Sequence, residues 1–175
     1  MFQNNDTYFE EKKCKYSDFI LLYKKKYSND QSYVFASCLN YIVVLKKYPD
    51  TINDEKRHVL FPKKAEYKAN KLKILLIFDK FINKKINEIG DENIKYKINN
   101  TLESGDKNFI YYKSIKRAFH KDLVKYNNNY SGIYIEWLDN GYQYYKEEYF
   151  NGQKTSFFKN FHKKINYYSR IVSRI

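Results

Sequence analysis

Cysteine, proline, glycine and arginine are all scarce in this chain, and each shortage removes a class of protein. There are 2 Cys, 2 Pro, 5 Gly and 4 Arg in 175 residues. Cys14 and Cys38 are too far apart for a CxxC pair, which excludes a zinc ribbon and a disulfide framework, and both read as reduced thiols of an intracellular protein. So few Pro and Gly leave no linker-like stretch, so residues 1–175 read as a single domain. Gly90, Gly105, Gly132, Gly141 and Gly152 stand alone, without the GxGxxG or GxxxxGK[ST] spacing that cradles nucleotide phosphates. Long apolar runs are missing as well. Tyr41–Leu45 and Ile74–Phe78 are strand-sized, far short of the ~20 residues of a membrane helix. Met1-Phe2-Gln3-Asn4-Asn5-Asp6 lacks the basic start and apolar run of a signal peptide. The expectation is an intracellular protein, not secreted and without a membrane span.

What is abundant is aromatic and basic: 20 Tyr, 13 Phe and a formal net charge of +13. Rings are large enough for a few to fill a core, and a chain this rich in them is not compositionally disordered. A basic surplus is the first mark of a nucleic-acid binder. The charge, however, comes as 29 Lys against 4 Arg, and Lys, Asn, Tyr, Ile, Phe and Met make up 99 of 175 residues. All six have codons built largely from A and T, so an AT-rich genome writes the same composition whatever the function.

Periodicity gives an α+β expectation: a small mixed or antiparallel sheet with a few helices. Residues 1–31 are a charged N-terminal segment. Ser32–Lys47 is β-branched and aromatic, one long strand or two broken near Asn40, closed by Pro49-Asp50. Thr51–His58 reads as a loop. Leu72–Phe78 is a buried strand. Phe81–Asn93 fits a helix stopped by Gly90, with a short hairpin partner as the rival. Asn108–Tyr112 and Gly132–Trp137 are strands. Tyr142–Phe150 is a capped helix or a return strand, and Asn151-Gly152 is a tight turn. Residues 155–175 place Phe157, Phe158, Phe161, Ile165, Tyr168, Ile171 and Val172 three and four apart, which predicts a C-terminal amphipathic helix.

No catalytic, cofactor-binding or metal site is expected. His58, His120 and His162 sit in different segments without metal-ligand spacing and read as surface or half-buried residues. Glu10-Glu11 and Glu147-Glu148 are adjacent carboxylates that point apart. The candidate surface is basic and aromatic: Lys63, Lys64, Lys68, Lys71 and Lys73 could follow a phosphate backbone, with Tyr67 stacking on a base. The competing reading is a charged loop leading into a core strand.

The segment Lys64–Leu75, with its Y-[KR]-A-x-K-x-K-[VI]-L pattern from Tyr67, resembles an uncharacterised domain recurrent in mimivirus-like giant viruses. Tyr33–Leu39 is similar to that domain's opening strand, Asp106–Tyr111 to its D-x-x-F-I-Y strand, and Gly132–Ile135 to its G-I-H-F-F strand. A Tyr-rich segment follows at 142–149, so the likeness spans about residues 32–150. Tyr134 stands where the family has His, and the Cys before that Gly is absent, as is the Gly after Tyr111-Tyr112. Residues 131–160 also resemble MORN-type hairpin repeats, with fewer than two units visible. The resemblance implies a viral protein acting in the host cytoplasm or a viral replication compartment. The functional expectation is a non-catalytic protein-interaction module with an unknown protein partner. The alternative is a nucleic-acid-binding accessory protein using the lysine-rich surface.

Overall fold

Two consecutive strands carry the Ser32–Lys47 segment in the computed structural model, which describes residues 25–27, 30–82, 84–90, 93–106 and 108–155. Strand β1 (Tyr33–Cys38) turns at Leu39 and Asn40 into β2 (Tyr41–Lys47), the two-strand version of the expectation. Leu39 takes a left-handed φ of 52° in the turn. Ile42, Val43, Val44 and Leu45 are all fully buried. Four buried residues in a row mean that both faces of the sheet are covered, each side chain contributing roughly 1.5–3 kcal/mol of burial.

The chain continues through β3 (Glu66–Ala69), β4 (Lys71–Asp79), β5 (Lys85–Ile86), β6 (Glu88–Gly90), β7 (Lys95–Lys97), β8 (Thr101–Glu103) and β9 (Phe109–Tyr112). Helix α1 (Ile115–His120) precedes β10 (Gly132–Trp137), β11 (Gln143–Phe150) and β12 (Gln153–Lys154). The main sheet is antiparallel, in the order β3-β9-β1-β2-β4-β5, with β8 pairing the first part of β4. Strands β3 and β4 lie far apart in that order yet are separated in the chain by Asn70 alone. The sheet therefore curls into a half-barrel, and Asn70 makes the corner, its side-chain oxygen accepting the Ile52 N–H at 2.8 Å.

Alternation sorts the side chains. Val34, Val43, Leu45, Tyr67, Leu72, Ile74, Ile77 and Tyr111 fill the inside. Phe35, Ile42, Val44, Phe78 and Tyr112 face outward, under α1 and the β10–β11 hairpin, where Ile115, Phe119, Tyr134 and Tyr149 cover them. A bulge keeps β4 in step: Leu76 lies opposite Val44 and Ile74 opposite Leu45, so Leu75 is the extra residue.

The fold is mostly β, which corrects the α+β expectation. Apart from the helical residues 25–27, the six-residue α1 is the one helix among the described residues. Phe81–Asn93 is not a helix. Ile82 is exposed and Phe81 only leans on Phe119 and Tyr130 from the surface, while Ile86 pairs with Ile77 and Ile89 with Tyr96. Tyr142–Phe150 resolves as the return strand β11. The expected C-terminal helix lies, beyond Thr155, outside the described residues. No helix among the described residues is long and apolar enough to cross a membrane.

Candidate nucleic-acid interface

The structure disperses the six residues singled out in the sequence. Tyr67 is 1% exposed; its ring stacks on Tyr111 at 5.7 Å and its hydroxyl donates to the Pro62 carbonyl at 3.0 Å. It has no face left for a base. Lys71 is held by Asp50 at 3.2 Å and Glu103 at 3.4 Å; the Asp50 hydrogen bond and both carboxylate charges raise its pKa. The Lys64 ammonium lies 3.4 Å from Ser114 Oγ and over the Trp137 ring. Lys63 and Lys68 are exposed, Lys68 on β3 beside Ile110. Lys73 points outward from β4, between neighbours that came from elsewhere in the chain.

Those neighbours form a row fixed by strand register. Tyr33 of β1 lies opposite Lys46 of β2, Lys46 opposite Lys73 of β4, and Lys73 opposite Thr101 of β8. Val34, Leu45, Leu72, Ile74 and Leu102 point inside, so Tyr33, Lys46, Lys73 and Thr101 share the outer face. Three inter-strand steps make the row about 14 Å wide. The Lys46 ammonium sits 5.5 Å from the centre of the Tyr33 ring, and Tyr27 leans on that ring at 5.0 Å. At the other end Tyr48 shares a hydrogen bond with Thr101 (2.7 Å) and carries Lys71 over its ring at 5.2 Å.

Lys46 and Lys73 are the anomaly of this face. Like charges directly opposite across a strand pair destabilise the sheet, and neither lysine has a carboxylate within salt-bridge distance among the described residues. Asp30 is near enough to feel Lys46, yet its carboxylate already accepts the Ser32 N–H at 2.8 Å. Lys47, one residue further, faces the other way and shows the contrast. It meets Glu55 at 2.7 Å, and Glu55 also takes Lys113 (2.7 Å) and the Tyr111 hydroxyl (2.6 Å). Burial alone would raise the Glu55 carboxyl, but those three donors outweigh it and hold it below the usual range.

Comparison with known proteins finds no match. No family model, no curated protein and no solved structure aligns significantly with this chain. Its function is therefore argued from its own side chains.

Elsewhere the polar groups serve the fold. Arg57 donates to the Glu66 and Asp139 carbonyls and pairs with Asp54 at 3.3 Å, pinning the tip of the β10–β11 hairpin to the main sheet. The depression beside it, lined by Asp54, Arg57, Glu66, Lys68 and Asp139, has a volume of about 160 Å³, below the range of ordinary ligand pockets. Arg117 lies between the rings of Tyr112 and Trp137 and donates to the Trp137 carbonyl at 3.0 Å. Lys80 is 3% exposed and ties the β1–β2 turn to the end of α1, donating to Ser37 Oγ (2.8 Å) and the carbonyls of Leu39 (3.0 Å) and Lys121 (2.8 Å). Burial pushes its pKa down to about 7. Cys38 is buried on β1; Cys14 lies outside the described residues.

Of the histidines, His58 is exposed and His162 lies outside the described residues. His120 departs from expectation: it is 4% exposed, enclosed by Phe119, Tyr134 and Trp137. No group of three or more His, Cys, Asp or Glu among the described residues is placed to hold a metal ion. Sequence reasoning missed Tyr33, Lys46, Tyr48 and Thr101 as a site. Only the pairing of distant strands assembles them, and no local pattern announces it.

Proposed function

We propose that this protein is a non-catalytic module that binds nucleic acid through the phosphate backbone, on the outer face of the main sheet around Lys46 and Lys73. The carrying observation is that cross-strand lysine pair without a bound carboxylate among the described residues. An intervening phosphate converts its repulsion into two attractions, and the net charge of +13 adds long-range steering. The likeness to the giant-virus domain supports a viral origin and a place in the infected host cell, as a proposal resting on the quoted motifs.

The test is a binding titration of the whole chain against labelled DNA over a range of salt. Affinity is expected to fall linearly on a log–log plot, with Lys46→Ala/Lys73→Ala flattening the slope for single strands by about 1.4, two phosphate contacts at about 0.7 each. Absence of binding to DNA and RNA at low salt would sink the reading. The surviving alternative would then be a protein-interaction module, favoured by the exposed Ile133 and Leu138 of the β10–β11 hairpin.

A further inference from the structure

Resting on the nucleic-acid reading above, we infer that this face takes single strands, with bases stacking on Tyr33 and Tyr48 and phosphates held by Lys46 and Lys73. Tyr33 opens the row on β1, Lys46 and Lys73 follow it, and Tyr48, just after β2, reaches the Thr101 end with its hydroxyl. A base laid on the Tyr33 ring leaves its phosphate within reach of the ammonium that now sits 5.5 Å from that ring. Tyr48 is held in place by its hydroxyl contact to Thr101 at 2.7 Å, so ordering it for stacking costs little side-chain entropy.

Lys71 marks the boundary of the phosphate track. It faces the same side, but Asp50 and Glu103 already neutralise it. Lys46 and Lys73 carry no such partner among the described residues and are left for the ligand. Both arginines of the described chain are committed elsewhere, Arg57 to carbonyls and Asp54, Arg117 to rings and the Trp137 carbonyl. Among the described residues this face therefore presents no bidentate reader of the kind a duplex groove calls for. Ring stacking needs bases released from a helix and accepts any of them. The ligand class is single-stranded nucleic acid of any sequence.

Fluorescence anisotropy with the full chain tests this, at one low salt concentration, with four probes: a single-stranded DNA, the same sequence as RNA, its DNA duplex, and heparin as a polyanion without bases. Single strands are expected to bind at least ten-fold tighter than the duplex. Tyr33→Leu should weaken single-strand binding roughly 5- to 150-fold, the worth of one stacked base, while heparin binding stays as in the wild type and Tyr33→Phe keeps the affinity. Tyr48→Leu repeats the test at the far end of the row, should the first variant fail to fold. The DNA and RNA arms separate the two natural sources of such a strand.

Equal affinity for single strand and duplex, or unchanged single-strand affinity in both leucine variants, overturns the stacking inference and leaves backbone binding standing. Failure of every probe to bind overturns the backbone reading as well.

Discussion

At the scale of the residue, the burial of His120 couples stability to pH. Its ring lies 5.2 Å from Phe119, 5.6 Å from Trp137 and 6.4 Å from Tyr134, and its Nδ1 has no hydrogen-bond partner. Burial pushes its pKa down to about 3, and the positive charges of Lys116, Lys64, Lys80 and Arg117 act in the same direction. The folded protein thus holds the neutral ring, whereas the unfolded chain takes up a proton near pH 6.5. Stability from this residue is complete above pH 6.5 and is lost progressively as the pH falls toward 3. At pH 5 the loss amounts to about 2 kcal/mol. Urea midpoints at pH 7 and pH 5 check it: the wild type should drop and His120→Phe should stay level. An equal drop in both would assign the acid sensitivity to other groups. Nothing in the sequence marked His120 as buried, because its enclosure depends on Tyr134 and Trp137 arriving from a later hairpin.

At the scale of the element, turns decide the register of the hairpins that make the cover. Gly152, between β11 and β12, has a φ of +77°, and a Cβ there would stand 1.7 Å from the Asn128 carbonyl oxygen. Its N–H donates to the Tyr130 carbonyl at 2.9 Å, so the turn is seated on the 127–130 loop and has no room to retreat. Gly152→Ala should therefore cost about 2 kcal/mol or more, strain and clash together. Gly105 has nothing within 4 Å of its would-be Cβ and supplies the control: Gly105→Ala should change stability by less than about 0.5 kcal/mol. Similar melting temperatures for the two variants would refute the argument. Asn151-Gly152 was legible as a turn, since its chemistry is local. The strands at Ser32–Lys47, Leu72–Phe78, Asn108–Tyr112 and Gly132–Trp137 were legible for the same reason, as runs of β-branched and aromatic residues. Phe81–Asn93 was not. In that short window Phe81, Ile82, Ile86 and Ile89 mimic helical spacing, while the forces that settle it are cross-strand pairs with Ile77 and Tyr96.

At the scale of the whole molecule, a composition written largely in Lys and Tyr folds so that several of those residues have work for their polar ends within the fold. Lys47, Lys71, Lys80 and Lys113 all meet acceptors, and Tyr111, Tyr112 and Tyr134 direct their hydroxyls to Glu55, Glu66 and Glu136. That is why the Lys63–Lys73 stretch misleads: its tyrosine and two of its lysines hold the sheet together. The Lys46–Lys73 pair is the place where the fold leaves repulsion standing, and Lys73→Glu tests whether it does so for a ligand. The substitution puts a carboxylate opposite Lys46, which keeps its place over the Tyr33 ring. A cross-strand pair of opposite sign is worth about 0.2–1 kcal/mol, so the variant should unfold at equal or higher urea. Its nucleic-acid affinity should drop at the same time, because one phosphate contact has become a repulsion. Higher stability with lower affinity is the signature of a surface kept basic for binding. A variant that loses more than about 1 kcal/mol of stability while binding as before would make the lysine pair a structural feature of β2 and β4.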